Sequence, residues 1–352
     1  MTQFIQLHLL TAYPPSNLNR DDLGRPKTAI VGGTSRLRVS SQSLKRAWRT
    51  SPLFEEALAK FKGTRTKRLG KTVAERLREK GISEKNANTW AAKIAEQFGK
   101  NKKDNPLENE QLAHVSPAEW DDVMALADKL ATENREPELD ELKLLRKNTQ
   151  AVDIALFGRR LASSPAHNIE AAAQVAHAIT VDPVTIEDDF FTAVDDLNTH
   201  EEDAGAGHMG DAGFASGIFY LYICINKDLL VKNLNHGEED GDATLANDTI
   251  EALVKAAATV SPTGKQNSFA SRAYTSYLMA EMGTQQPRSL SVAFVKTAKS
   301  KDPMKQAIAN LEDQRKNFER DYGACADKHL IMNSDSPEGS STLKEIIQFL
   351  KD

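Results

Sequence analysis

Between Arg36 and Arg49 the chain reads R-L-R-V-S-S-Q-S-L-K-R-A-W-R, five cations and no acid. Leu37 and Val39 alternate with Arg36 and Arg38, the period of a half-buried strand that would present both arginines on its polar face. Leu44, Ala47 and Trp48 then share one helical face, while Lys45 and Arg49 share another at i,i+4. Ser40-Ser41-Gln42-Ser43 stands at the junction, where a helix N-cap belongs. The chemistry these residues offer together is anion binding: guanidinium forks, an ammonium, hydroxyls and the free N–H groups of a helix start form a phosphate cradle. A solvated helix face beside a hairpin would use the same residue types. The coincidence of strand, serines and helix favours the cradle.

The surroundings carry the same sign. Asn17 to Arg49 holds Arg20, Arg25, Lys27, Arg36, Arg38, Lys45, Arg46 and Arg49 against Asp21 and Asp22, so this stretch is +6 and the rest of a chain of net charge -5 is -11. Charge placed this unevenly points to a polyanionic partner rather than to a generally basic protein. At 352 residues, 40% hydrophobic and 27% charged, the chain is an ordinary globular one with more than one lobe. The first residues, M-T-Q-F-I-Q-L-H-L-L, lack a basic n-region, and no apolar run nears ~20 residues, so neither a secretory signal nor a membrane span is expected. Cys224 and Cys325 form no C-x-x-C or metal spacing, which fits a reducing cytoplasm. The eight histidines have no ligand spacing, and neither a metal nor a cofactor is expected.

Several elements must position the cradle. Phe4 to Leu10 reads as a strand with Ile5, Leu7 and Leu9 on one face and Gln6 and His8 on a polar one. Ala29-Ile30-Val31 meets the turn signal Gly32-Gly33 before the arginine strand, a hairpin leading into the Ser40–Arg49 helix. From about Ser51 to Asn148 the pattern is helical, with candidates at Thr72–Lys80, Glu84–Gly99, Pro117–Thr132 and Leu139–Lys147. On the last of these Lys143, Arg146 and Lys147 form a small cationic stripe. From Leu161 to Asn226 there is no lysine or arginine, while eleven acids accumulate. Apolar runs at Phe190–Val194 and Ile218–Ile223 flank a glycine-rich stretch there, which predicts a long hairpin with an acidic tip. The C-terminal part predicts helices at Leu245–Thr259, Met304–Asp321 and Leu343–Leu350 and a strand at Tyr274–Met282. The loop S-P-T-G-K-Q-N-S-F-A-S-R among them offers Lys265, Gln266 and Arg272.

Familiar catalytic signatures are missing: no Walker A, G-x-G-x-x-G, H-E-x-x-H or G-x-S-x-G occurs. Gly213-Phe214-Ala215 followed by Phe219 and Tyr220 resembles part of an RNA-recognition aromatic motif but lacks its leading cation, and reads as core strand. His8 would stack on a base, act in acid–base chemistry, or sit as a structural imidazole, the last being the commoner case. Asp21 and Asp22 would hold a magnesium ion, or simply fold their loop.

Taken in order, L-N-R-D-D, P-K-T-A-I-V-G-G, R-L-R-V-S-S-Q-S-L-K-R-A, V-D-I-A-L-F-G-R, A-H-A-I-T, F-F-T-A-V-D-D-L, H-M-G and the late G-K-Q resemble the CasC-type backbone subunit of the type I-E CRISPR surveillance complex, Cascade. The resemblance covers nearly the whole chain and is weakest from about Phe54 to Asn148 and beyond Lys301. It implies a non-catalytic α+β protein shaped like a hand. A palm on an RRM-like (ferredoxin-like) sheet would occupy residues 1–50, 171–183 and 219–352, with inserted helical fingers at 51–170 and a β-hairpin thumb at 184–218. It implies head-to-tail assembly of further copies along one crRNA, which is presented for pairing with a target DNA strand in antiviral defence. The other Cascade subunits would be its partners: large, small, guide-processing and guide 5'-end-capping. Arg20, Lys27, Ser40, Gln42, Lys45 and Arg49 match positions that hold the guide backbone; Lys265 and Gln266 join them from the G-K-Q loop, and Arg38 and Arg46 from the residue pattern above. Phe190, Phe191, Thr192 and Met209 match thumb positions near a nucleotide flipped from the guide–target duplex, and Lys143, Arg146 and Lys147 fall near a finger helix that touches target DNA. Relatives commonly carry Met where this chain has Arg160, beside the displaced base; a guanidinium stacks on bases and contacts phosphate as well.

Backbone contacts are sequence-blind, as a protein must be if its guide varies. An acidic thumb is expected to act by apolar wedging and to meet a cationic surface of the next copy. Two alternatives remain from the residues: a metal-dependent ribonuclease acting on guide-paired RNA through Asp21 or Asp22, and a guide-processing endoribonuclease using His8.

Overall fold

The computed structural model describes residues 2–147, 149–193, 208–235, 237, 241–297 and 300–351, with only the backbone of Ala193, His208 and Met209. The chain opens with β1 (Phe4–Ser16), followed by the hairpin of β2 (Thr28–Val31) and β3 (Thr34–Val39). Gly32 and Gly33 at its tip have φ of +58° and +78°, as a two-residue hairpin turn requires. A Cβ on Gly32 would lie 1.9 Å from the Val295 carbonyl oxygen, so the turn and its docking both demand glycine. Helix α1 (Ser41–Arg49) follows at once, capped by Ser40, whose Oγ accepts the Ser43 N–H at 3.3 Å. Arg46 and Arg49 lie in its last turn, where the helix dipole favours cations.

Beyond α2 (Pro52–Leu58), a helical lobe is built from β4 (Thr64–Thr66), α3 (Leu69–Glu79), α4 (Glu84–Glu96), β5 (Ala113–Val115), which pairs with β4, and α5 (Pro117–Glu133). It has its own apolar core, in which Leu69, Val73 and Leu77 of α3 meet Trp90 and Ile94 of α4 and Val123 and Leu130 of α5, the three-to-four spacing of amphipathic helices. The helix expected at Leu139–Lys147 is absent; these residues form turns and irregular backbone. The cause is tertiary. Arg146 gives its N–H to Glu119 and its carbonyl to Arg159, while Leu142 and Leu144 turn into the lobe core. The predicted cationic stripe therefore has no helix beneath it.

The chain returns through α6 (Val152–Phe157), β6 (Ala173–Val175), β7 (Ala178–Thr180), β8 (Glu187–Ala193) and the long β9 (His208–Asn226). It ends with α7 (Lys227–Leu234), α8 (Thr244–Thr259), the short α9 (Gln266–Phe269), β10 (Tyr277–Gly283), α10 (Pro303–Tyr322), β11 (Lys328–Asn333) and α11 (Leu343–Lys351). Among the described residues nine strands make one antiparallel sheet in the order β11-β10-β1-β9-β7-β3-β2, with β6 and β8 also paired to β9. β1 is central: Leu7 stands opposite Ile223 on one side and Ala280 on the other. Both faces of this sheet are covered. Ile5, Leu7 and Leu9 pack with Leu44, Trp48, Leu253 and Ile346 from the helices on one side, and Leu10, Tyr220 and Met279 pack with Phe294 and Leu311 on the other. The polar face expected for Gln6 and His8 is thus an interior, and both residues are buried.

Candidate nucleic-acid interface

The loop after β1 is zipped onto the start of α1. The Lys27 N–H donates to the Asn19 carbonyl and the Arg38 N–H to the Lys27 carbonyl, both at 2.8 Å. The Asn19 side chain accepts the Ser40 N–H at 2.9 Å. These bonds bring exposed Arg20 and half-buried Lys27 and Arg38 to the N-terminal end of α1. Arg38 Nη1 donates to His177 Nδ1 at 2.9 Å. Partial burial, then the charges of Arg38 and Lys27, lower the His177 pKa, so the imidazole is neutral at pH 7 with its proton on Nε2, a donor open to an anion. Arg36 behaves otherwise. It is fully buried, with Nη1 and Nη2 bound to the carbonyls of Thr180 and Phe294 at 3.1 and 3.0 Å. Its strand is covered on the face that alternation predicts to be open, so Arg36 leaves the cradle and only Arg38 remains.

Along the side of α1, from Gln42 to Arg49, lies a cleft of about 250 Å³ lined by Gln42, Lys45, Arg46 and Arg49, by Arg65, Leu112 and His114 of the helical lobe, and by Phe157–Arg160. No acid lines it. The two ends of α1 are about 12 Å apart at 1.5 Å per helical residue. Lys45 Nζ lies 5.3 Å from the Phe157 ring centroid, a cation–π distance, and burial lowers its pKa. Arg49 is anchored, donating to Asp153 at 2.9 Å and to the Gly63 carbonyl at 3.3 Å. Asp153 is fully buried and also accepts the Gly63 N–H and His114 Nε2, each at 2.8 Å. Burial opposes its ionisation, but His114, the Gly63 N–H and Arg49 outweigh burial and hold the carboxyl below its usual range. Gly158, at φ +78°, ends α6 and is followed by two adjacent arginines with opposite fates. Arg159 is buried against Glu119 at 2.7 Å, whereas Arg160 is exposed at the cleft.

The remaining predicted residues fall into three places. Lys265 has φ +46°, and its neighbour Gly264 sits so close to the Asn17 and Leu18 carbonyls that a Cβ would lie within 2.6 Å of both; the G-K-Q loop therefore stands at the root of the Arg20 loop. Gln266 spends its amide within that loop, donating to the carbonyls of Pro262 and Ser271. On β8, Phe190 and Phe191 are exposed, 68% and 41%, and Thr192 pairs with Met209; the Met209 side chain and Asp195 and Asp196 lie outside the described residues. The hairpin base is tied to the loop after β1 by Arg25–Asp188 at 3.0 Å and by Asn17, which donates to the Gly213 carbonyl. In the helical lobe Lys143 is paired with Asp140 and Arg146 with both oxygens of Asp122, and Lys147 is exposed.

His8 is a buried structural imidazole. Its Nε2 meets Glu281 at 3.1 Å and its Nδ1 meets the Tyr220 hydroxyl at 2.9 Å. Burial lowers its pKa, and Arg288 binds both oxygens of Glu281. The consistent tautomer donates from Nε2 to an ionised Glu281 and accepts from Tyr220, whose oxygen accepts the Leu290 N–H. Neither nitrogen is open to an RNA, which removes the structural basis for cleavage by His8. Asp21 Oδ1 accepts the Leu23 and Arg25 N–H groups at 3.0 and 2.9 Å, the loop-folding role. Among the described residues no group of three His, Cys, Asp or Glu gathers as a metal site, and no helix is long and apolar enough to cross a membrane.

Arg65, His114, Asp153 and His177 are the residues that local sequence reading misses. The first three acquire their places through contacts 39 or more residues away, and of them only Asp153 lies inside a quoted motif, V-D-I-A-L-F-G-R. His177 lies inside A-H-A-I-T, one of the motifs quoted above.

The family model described as CT1975-like protein matches residues 5–349. Among solved structures, a chain of a "CRISPR RNA-guided surveillance complex, pre-nicking" is similar at 30% identity and a TM-score of 0.82, with 99% of each chain covered. A chain of a "CRISPR RNA-guided surveillance complex" has the same fold at 24% identity and a TM-score of 0.74, again with 99% of each covered. No curated protein matches.

Proposed function

We propose that this chain, which belongs to the CT1975-like protein family, is a guide-RNA-binding backbone subunit of a CRISPR surveillance complex that grips ribose-phosphate without reading bases. The observation that carries this reading is the collection of cations along α1 and its flanks: Arg20, Lys27, Arg38, Lys45, Arg46 and Arg160 stand together with no carboxylate bound to any of them among the described residues. The relationship to a chain of an RNA-guided complex supplies the kind of polyanion. Within the same proposal the complex is of type I-E and copies assemble head to tail along the guide. The exposed phenylalanines of the thumb wedge beside a displaced nucleotide, and the helical lobe faces the target DNA strand. The guide-processing, capping, large and small subunits complete the assembly in the cytoplasm, where the buried Cys224 and Cys325 stay reduced.

Purification of the assembly under native conditions, followed by sequencing of co-eluting small RNA, tests it: guides of varied sequence are expected, and material free of RNA overturns the reading. Regular magnesium-dependent cutting of complementary RNA, lost in Asp21→Ala and Asp22→Ala, would establish the nuclease alternative instead. Charge reversal at Asp195 and Asp196 is expected to weaken assembly of copies while monomers still fold; unchanged assembly would remove the thumb's acids from the contact.

A further inference from the structure

We infer that Arg65, on β4 of the helical lobe, is a phosphodiester-binding residue of the same cleft, so that the RNA backbone is held from both lobes rather than by the palm alone. The inference rests on the proposed RNA-binding function and adds a ligand that the sequence motifs do not mark.

Three observations carry it. First, Lys45, Arg46, Arg65 and Arg160 line one concavity, and among the described residues none of the four has a carboxylate partner. The acids bound to the cleft's other lining residues are already spent, Asp153 on Arg49 and His114, and Glu119 on Arg159. Cations drawn together without counter-charge repel one another, and a bound anion relieves that repulsion. Second, Arg65 is held in place. It stands opposite His114 in the β4–β5 register, His114 is fixed by Asp153, and Asp153 also takes the N–H of Gly63, two residues before Arg65. The same carboxylate anchors Arg49 of α1, so one buried group sets the β4–β5 pair against the helix. Third, the cleft offers apolar as well as cationic walls, with Leu112 53% exposed and Phe157 under Lys45. That combination suits a nucleotide unit, its phosphate on the guanidiniums and its sugar or base edge on the apolar wall.

The test treats the full-length chain with phenylglyoxal, alone and saturated with single-stranded RNA of mixed sequence, and locates modified arginines by mass spectrometry. Arg46 and Arg65 are expected to be protected by RNA, while Arg78, exposed on α3, stays reactive. In parallel, Arg65→Ala is expected to flatten the salt dependence of binding by about 0.7 in log–log slope, the value of one contact on a single strand, and Arg65→Lys to restore it. Thermal melting checks that both variants fold. If Arg46 is protected while Arg65 reacts equally with and without RNA, or if the slope is unchanged, this inference falls and the proposed function stands. If no arginine is protected and no RNA is bound, both fall.

Discussion

The α1 cleft and the surface of the helical lobe are both rich in cations, and they differ in what those cations do. In the lobe many are matched to acids. Arg76 takes both oxygens of Asp128 at 2.7 and 2.8 Å, Arg135 both oxygens of Glu141 at 2.8 and 2.7 Å, and Lys100 meets Glu110 at 2.7 Å. Hydrogen bonds from Arg135, from the Glu138 backbone and from Lys129 hold Glu141 well below the usual carboxylate range. Around the cleft the acids are few, buried and committed to anchoring, and the outward cations are left unmatched. Charge density therefore does not by itself mark the proposed polyanion site in this molecule. Unmatched charge on an anchored frame does.

The anchor should give the largest effect when broken. Asp153→Ala strands the Gly63 N–H, His114 and Arg49, and removing one partner of a buried pair costs about 3–5 kcal/mol; urea unfolding would measure it. The pH dependence has a defined sign. The folded-state pKa of Asp153 is depressed, so its stabilisation is full above the ordinary carboxylate pKa of about 3.9 and is lost as pH falls through the lower folded value. Asp153→Asn should remove that part of the acid loss of stability, and an unaltered acid limb would deny Asp153 its anchoring role. Next in size is Gly32→Ala, with about 1–3 kcal/mol from the left-handed backbone and a further cost from the Val295 carbonyl it would strike.

The comparison itself is tested by removing one cation from each region. Lys45→Ala should weaken binding of single-stranded RNA about tenfold, the ~1.4 kcal/mol at the low end for a charged hydrogen bond, and evenly across sequences. Arg76→Ala should leave RNA affinity unchanged because its charge is already met by Asp128. Filter binding across a salt series distinguishes them. Equal losses for the two variants would return the explanation to net charge alone.

What the sequence discloses depends on how far away the partner lies. The hairpin at Gly32-Gly33, the cap at Ser40 and the Lys45/Arg49 spacing are local, and the structure has each where alternation, turn chemistry and helical period place it. Family motifs bring in Arg160 and the G-K-Q loop. Arg36 misleads because alternation describes one strand, whereas its burial is decided by Phe294, 258 residues on. Gln6 and His8 mislead for the same reason, since α10 and the Leu290–Phe294 turn roof the face that should have been wet. The missing helix at Leu139–Lys147 shows tertiary hydrogen bonds, to Glu119 and from Arg159, overriding a local period. The two-lobed cleft is the least legible part. Arg65 looks like any surface arginine until Asp153, 88 residues later, brings its strand pair to α1.

Ser40 gives the smallest expected effect and separates two roles in one residue. Its Oγ accepts the Ser43 N–H and its own N–H is held by Asn19, so Ser40→Ala removes the cap while leaving the Asn19 clamp. Loss of a serine cap costs about 1 kcal/mol. Ser40→Asp would restore the cap because a carboxylate accepts the same N–H, yet it would place a negative charge where the phosphate is proposed to lie. If Ser40 only caps, Ser40→Asp should regain both stability and RNA affinity. If the hydroxyl also faces the guide, stability should recover while affinity falls below that of Ser40→Ala, most strongly at low salt, where the added repulsion is least screened. Melting and RNA titration on the same two variants decide between cap and contact.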